Sequence, residues 1–132
     1  MPGTVLVVED ETYLAGLLSD VLQASGYNVV LTTAGRAADR VEEVWPEAIV
    51  MDYLMPGLNG AEVVAQVRSR LGDQVPPVVL VTGLTNAREL AEKIGADAYL
   101  RKPFDVDALV QVIDRLVDQA NSSSNLGTRT GQ

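Results

Sequence analysis

Short apolar runs alternate with helical patterns along most of the chain. Five runs rich in valine, leucine and isoleucine predict buried strands, at residues 4–8, 27–31, 48–51, 78–81 and 98–100. Between them, apolar residues recur at three- and four-residue spacing, which predicts helices. The first helix carries Leu14 and Leu22 and stops at Gly26, and four more are predicted at residues 34–44, 61–71, 86–94 and 105–119. Strands that alternate with helices predict an α/β fold with a mainly parallel sheet covered on both faces.

The length of 132 residues suits one domain, and the pattern ends near residue 120. We therefore predict a single domain over residues 1–120. The remaining segment, NSSSNLGTRTGQ at residues 121–132, holds one large apolar residue and cannot bury a core of its own. We expect it to be a flexible tail or the start of a truncated linker.

Composition removes several classes of function. The chain has no cysteine and no histidine, so it offers no disulfide, no thiolate metal site, no histidine base and no phosphohistidine. Its net charge of −8 argues against direct binding to nucleic acid, which needs a basic face. The first apolar run, at residues 5–8, is too short for a signal peptide or a membrane span. We expect a cytoplasmic protein that does not contact the membrane.

Polar residues follow the predicted strands at the points where the strands end. Glu9 and Asp10 follow the first strand, Asp52 follows the third, Thr82 ends the fourth, and Lys102 comes just after the fifth. In an open α/β sheet, ligands bind beyond the carboxyl ends of the strands. We therefore expect these five residues to gather at one edge of the sheet.

The chemistry of this set points to phosphoryl transfer. Three neighbouring carboxylates repel one another unless a cation neutralises them, and an all-oxygen set favours Mg²⁺, or Mn²⁺, over zinc. Asp52, on the central strand, can attack phosphorus as a nucleophile. Lys102 can supply positive charge to the phosphoryl oxygens, and the Thr82 hydroxyl can donate a hydrogen bond to them.

Each residue alone also has an ordinary structural interpretation. Glu9 and Asp10 could be a solvated helix start, Asp52 a turn residue, Thr82 a strand end and Lys102 a surface lysine. Their joint placement on successive strand ends favours the functional interpretation.

Four motifs make the chain resemble the receiver domain of two-component response regulators, over about residues 3–119. They are VLVVEDE at 5–11, VMDYLMPGLNG at 50–60, VVLVTG at 78–83 and GADAYLRKPFD at 95–105. The resemblance implies a doubly wound, flavodoxin-like (βα)5 fold with five parallel strands in the order 2-1-3-4-5. It also implies a signalling switch, not a turnover enzyme, that assists its own phosphorylation and dephosphorylation.

The resemblance assigns the acceptor and the metal ligands. Asp52 matches the phosphoacceptor and would share Mg²⁺ with the acidic pair. Asp10 would bind the metal directly, Glu9 largely through water, and the backbone carbonyl of Leu54 would complete the set.

The resemblance also assigns the switch residues. Thr82 matches the switch hydroxyl, Lys102 the lysine that pairs with the phosphoryl group, and Tyr99 the aromatic residue that turns inward on activation. Tyr99 could equally be a half-buried strand residue packed on the fourth helix. The peptide bond between Lys102 and Pro103 would be cis.

The implied partners follow from the same family. A sensor histidine kinase or a histidine phosphotransfer protein would donate the phosphoryl group, since this chain has no histidine. A homodimer through the face formed by the fourth helix, fifth strand and fifth helix is a further expectation.

Three other functions compete with this one. An aspartate-dependent phosphatase would usually carry a second acid two residues after its nucleophile, where this chain has Leu54. An interaction module that works without phosphorylation would not need the intact acidic set. A nucleotide-binding domain would need a glycine-rich phosphate loop after a strand, and the sequence has none.

Overall fold

The computed structural model describes residues 3–130, which form five parallel strands flanked by five helices. The strands are β1 (Thr4–Val8), β2 (Asn28–Thr32), β3 (Ala48–Asp52), β4 (Val78–Thr82) and β5 (Ala98–Arg101). The helices are α1 (Thr12–Ala24), α2 (Ala37–Val44), α3 (Gly60–Leu71), α4 (Ala87–Ile94) and α5 (Val106–Thr130). The strand order is β2-β1-β3-β4-β5, which confirms the predicted flavodoxin-like topology.

The three central strands form the core, because helices cover both of their faces. Every residue of β3 and β4 is buried, as their near-continuous apolar sequences require. On one face the strands pack against α2, α3 and α4, with Val41, Val64 and Ile94 in the core. On the other face they pack against α1 and α5, with Leu18 and Ile113 in the core. The edge strands β2 and β5 are only partly buried.

The predicted elements are all present, and most of their bounds agree with the prediction to within one residue. The second predicted helix begins as a 3₁₀ turn over Ala34–Arg36 before α2 proper. Asp52, into which the third predicted strand runs, is the last residue of β3. Helix α5 continues to Thr130, beyond the end at residue 119 that was predicted from the last apolar residues in helical spacing, Leu116 and Val117. The flexible tail over 121–132 stays a prediction, and residues 131–132 lie outside the described residues.

Trp45 ends α2 in an unusual backbone conformation. Its φ of 47° and ψ of 65° place it in the left-handed region, and Pro46 follows, so the helix cannot continue. The side chain is 54% exposed at the edge of the sheet where β3 begins, opposite the end that carries Asp52.

No helix within residues 3–130 has the length and apolar character needed to cross a membrane.

Candidate functional site

Strand register brings the predicted site residues to one edge of the sheet. Asp52 at the end of β3 pairs with Val81 of β4, so Thr82 lies one residue further along the neighbouring strand. Thr82 in turn pairs with Arg101, which places Lys102 directly after it. Because all strands are parallel, their carboxyl ends meet here, as the sequence predicts.

Asp52 and Lys102 are in direct contact. The Lys102 ammonium donates a hydrogen bond of 2.8 Å to Asp52 Oδ2. The other carboxylate oxygen, Oδ1, accepts a 3.3 Å hydrogen bond from the backbone N–H of Leu54. Asp52 is only 8% exposed, so its carboxylate points into the site with both oxygens held by donors.

Glu9 is the second carboxylate beside Lys102. Its Oε2 accepts a 3.1 Å hydrogen bond from the Glu11 N–H, and its Oε1 lies 3.6 Å from Lys102 Nζ. That distance is too long for a hydrogen bond, so the buried Oε1 has no hydrogen-bond partner. Burial disfavours the charged form and raises the pKa of Glu9, despite the opposing effects of the Glu11 N–H and the Lys102 charge.

Burial and two neighbouring carboxylates have opposite effects on the pKa of Lys102. Burial alone would lower the pKa of its ammonium group, since desolvation disfavours the charge. The hydrogen bond to Asp52 and the negative charges of Asp52 and Glu9 outweigh burial, so the pKa of Lys102 is raised. Lys102 is therefore a charged ammonium group between two carboxylates. Its peptide bond to Pro103 is cis, as predicted.

Thr82 is fully buried at the end of β4. Its hydroxyl accepts a 3.2 Å hydrogen bond from the Leu84 N–H, and its backbone carbonyl accepts a 2.7 Å hydrogen bond from the Lys102 N–H. A hydroxyl that accepts one bond still has its own proton to donate. Tyr99, in β5, is 41% exposed and lines a cavity of about 490 Å³ between α4 and α5.

The structure does not group all the predicted metal ligands. The side chain of Asp10 is exposed, and no three acidic side chains within residues 3–130 lie close enough together to hold a metal ion. The two carboxylates that do approach each other, those of Glu9 and Asp52, share Lys102. The donor set still fits a hard divalent cation, because it contains only oxygen and Glu9 Oε1 lacks a partner.

The loop after Asp52 is held by a helix cap that the sequence analysis did not identify. Asn59 accepts a 2.9 Å hydrogen bond from the Glu62 N–H, and the Glu62 carboxylate accepts a 3.0 Å bond from the Asn59 N–H. This capping box fixes the start of α3. The Gly60 N–H also donates a 2.8 Å hydrogen bond to the Tyr53 carbonyl. A Cβ at position 60 would lie 3.2 Å from Tyr53 Cα, so glycine suits this close approach of the two backbones. The Asn-x-x-Glu spacing at residues 59–62 is the sequence pattern that predicts such a cap.

A comparison with protein families matches residues 5–114 to the model described as the response regulator receiver domain. The chain is similar to response regulator MprA of Mycolicibacterium vanbaalenii, with 36% identity over 129 residues, covering 96% of this chain and 55% of that protein. It is also 34% identical to the DNA-binding response regulator MtrA of Mycobacterium leprae, over 83% of this chain and 49% of that one. The chain thus spans about half the length of these relatives.

Two solved structures are similar over most of their length. The signal receiver domain of a response regulator from Bermanella marisrubri superposes with a TM-score of 0.80 at 32% identity, covering 89% of this chain and 99% of that one. The receiver domain of a sensor histidine kinase from Pseudomonas aeruginosa, with magnesium coordinated in its active-site cleft, superposes with a TM-score of 0.80 at 26% identity, over the same shares of the two chains.

Proposed function

Because this chain belongs to the response regulator receiver domain family, we propose that Asp52 is its phosphoacceptor and that phosphorylation switches one face of the domain. The observation that carries the proposal is the contact between Lys102 Nζ and Asp52 Oδ2 at 2.8 Å. It puts a fixed positive charge beside the one buried aspartate at the carboxyl edge of the described sheet, where a phosphoryl group would accumulate negative charge.

The acceptor step uses Asp52 as a nucleophile. A carboxylate oxygen attacks phosphorus while the bond between phosphorus and the donor's imidazole nitrogen breaks, which leaves an acyl phosphate on Asp52. The Leu54 N–H, bonded to Oδ1, orients the carboxylate for this approach. A sensor histidine kinase or a histidine phosphotransfer protein would present the phosphohistidine.

After transfer, the new dianionic charge attracts the two donors next to it. Lys102 can exchange its contact with Asp52 Oδ2 for a phosphoryl oxygen while it stays near Glu9. The hydroxyl proton of Thr82 can be donated to another phosphoryl oxygen. We place Thr82 and Lys102 in the phosphoryl-binding machinery on this basis.

Asp10, Asp52 and the Leu54 carbonyl would hold Mg²⁺, with Glu9 acting through water. Mn²⁺ has the same preference for oxygen ligands and would serve as a substitute. When bound, the ion supplies positive charge to the transferring oxygens. The unpartnered Glu9 Oε1 supports this assignment, since it is a buried acceptor without a donor.

Phosphorylation would change the face made by α4, β5 and α5, which would contact a partner or an output domain. A shift of Thr82 toward the phosphoryl group would open space for the exposed ring of Tyr99 to turn inward. This movement would change the relative populations of two conformations of that face.

We also propose that the domain forms a homodimer through this face. Sedimentation should show a higher mass after phosphorylation, and an unchanged mass would reject the dimer. We expect the domain to work in the cytoplasm.

Mass spectrometry of the intact chain after incubation with acetyl phosphate tests the acceptor. We expect a gain of about 80 Da, one phosphoryl group, that depends on Mg²⁺ and is absent in Asp52→Asn. Asp97→Asn is a matched control in another part of the fold and should still gain the mass. An adduct that survives Asp52→Asn would contradict the proposal.

The lifetime of the adduct tests autodephosphorylation by this domain. Phosphate should be released slowly and once per acceptor after the donor is removed. Continuous turnover of an added phosphoester would instead favour the phosphatase interpretation, which the position of Leu54 opposes.

A further inference from the structure

A second cavity lies next to the edge strand, outside the site around Asp52. It measures about 320 Å³ and is lined by Leu31, Thr32, Thr33, Arg36 and Arg40, which we call the Arg36–Arg40 site. Leu31 and Thr32 belong to the end of β2, and the two arginines lie one helical turn apart at the start of α2. The site therefore joins two guanidinium groups to two hydroxyl groups.

The two arginines are poorly neutralised in a chain of net charge −8. Among residues 3–130 the Arg36 side chain forms no direct ion pair, although its charge helps to lower the pKa of the nearby Asp39 after the larger effect of Arg70. Arg40 has one, a 3.4 Å contact with Glu43 at the surface. By contrast, Arg70 in α3 contacts two carboxylates. Arg36 and Arg40 thus leave most of their donor capacity unused.

Placing two positive charges four residues apart on one helix face is unfavourable. An anion bound between Arg36 and Arg40 would relieve that repulsion and would use the planar donors of both guanidinium groups. The hydroxyl of Thr33 makes no side-chain capping bond to the following helix, so it is available to the same ligand.

We propose that the Arg36–Arg40 site binds a phosphate-bearing small ligand. A phosphate group matches the site because it accepts several charge-assisted hydrogen bonds at once from guanidinium and hydroxyl donors. A single carboxylate would leave more of these donors unused. The lining of the site includes neither Asp52 nor Lys102, although Thr32 accepts a 3.3 Å backbone hydrogen bond from the Glu9 N–H.

The neighbouring cavity offers room for the rest of a ligand. It measures about 430 Å³, shares Leu31, Thr32 and Thr33 with the Arg36–Arg40 site, and is otherwise lined by Glu9, Asp10, Thr12, Ala15 and Gly16. The two carboxylates favour a ligand body that donates hydrogen bonds and keep the anion at the arginines. An added Cβ on Gly16 would meet nothing within 4 Å, so the α1 side of this cavity is open. An organic phosphate could place its anion on the arginines and its body here, whereas free phosphate would use the arginines alone.

NMR titration of the unphosphorylated chain with inorganic phosphate and, separately, with AMP tests the proposal, in the absence of divalent cations. We expect saturable shifts of the Thr33, Arg36 and Arg40 amides with a dissociation constant on the order of 1 mM. The double substitution of Arg36→Gln and Arg40→Gln should weaken binding about tenfold or more. Tighter binding of AMP than of phosphate would identify an organic phosphate as the source, and equal binding would identify the free anion.

Two further variants make the test specific. Arg115→Gln removes a surface arginine elsewhere and should leave the dissociation constant unchanged. Glu43→Gln frees Arg40 from its competing carboxylate and should tighten binding about twofold. Shifts that sodium chloride reproduces at equal ionic strength, or that persist in the double variant, would overturn the proposal. Phosphorylation of Asp52 by acetyl phosphate should be unaffected in the double variant, so this result is independent of the acceptor assignment.

Discussion

Two places in the molecule put one cation between two carboxylates, and they differ in burial. At the carboxyl edge of the sheet, Lys102 contacts Asp52 and Glu9, both of which are buried. On the surface, Arg70 of α3 contacts two acids of α2, and all three side chains are exposed. The first cluster joins three strand ends that are distant in sequence, whereas the second joins two neighbouring helices.

One acid from each cluster shows how burial changes the effect of a nearby cation. Glu9 has a raised pKa because desolvation outweighs the Lys102 charge. Asp39, one of the acids on Arg70, has a lowered pKa, because in water its hydrogen bond to Arg70 meets little opposition. The Glu9 carboxylate thus loses more by desolvation than it gains from Lys102, whereas the exposed Asp39 gains from Arg70.

The largest expected difference between the clusters is in phosphorylation rate. Lys102→Met should slow the reaction of Asp52 with acetyl phosphate by about 100-fold, because a preorganised donor to the phosphoryl oxygens is lost. Arg70→Met is the matched control and should react at the wild-type rate. The fraction of phosphorylated chain against time, from intact mass, measures both. Equal rates in the two variants would remove Lys102 from the proposed machinery.

The second largest expected difference between the clusters is in the free energy of unfolding. Lys102→Met removes the cation between Glu9 and Asp52 and leaves each buried carboxylate with only its backbone donor, so we expect a loss of about 1–3 kcal/mol in the free energy of unfolding at neutral pH. Arg70→Met should cost clearly less, because water replaces its exposed contacts. Urea unfolding followed by circular dichroism gives both values. A larger loss in Arg70→Met would contradict our view of burial.

The pH dependence of stability should have opposite signs at Glu9 and Asp39. Because the pKa of Glu9 is raised in the folded state, its contribution is most favourable below 4.5 and declines as pH rises through the folded value. Because the pKa of Asp39 is lowered, its contribution is present above 3.8 and is lost as pH falls through the folded value.

The substitutions Glu9→Gln and Asp39→Asn isolate these two contributions. The stability of the wild type relative to Glu9→Gln should fall with rising pH above 4.5. Relative to Asp39→Asn it should fall with decreasing pH below 3.8. Urea unfolding across this range, without divalent cations, checks both, and slopes of the same sign would refute the comparison.

The smallest expected difference between the clusters is in how strongly salt weakens their ion pairs. The coupling between Arg70 and Asp39, measured by a double-mutant cycle, should weaken as sodium chloride rises, since the Debye length is about 10 Å at 0.1 M and shortens further. The coupling between Lys102 and Asp52 should change less, because the buried carboxylate is shielded from ions. Equal salt dependence would mean that solvent reaches both clusters alike.

Much of the fold followed from the sequence because the apolar runs are long and consistent. Seven of the ten residues of β3 and β4 are valine, leucine, isoleucine or methionine, and such apolar runs between turn residues indicate buried strands. The end of α5 was not predictable in the same way, because the apolar spacing in the sequence ends at Val117 while the helix continues to Thr130.

The candidate site was predictable as a set of strand ends but not as a set of contacts. Sequence order places Glu9, Asp52, Thr82 and Lys102 at one edge of a parallel sheet. It does not specify that Lys102 contacts both Glu9 and Asp52 while Asp10 is exposed, since side-chain rotamers and desolvation decide this. The surface contacts of Arg70 depend on how α2 packs against α3, which no sequence motif indicates.

The position of Trp45 determines what intrinsic fluorescence can report. It is the one tryptophan in the chain, and the length of β3 separates it from Asp52, about 13 Å at a rise of about 3.3 Å per residue. Its half-exposed indole, next to the left-handed turn, should respond when the domain unfolds. Its emission should barely change on phosphorylation, so a kinetic assay of the switch requires a probe placed at the other end of the sheet.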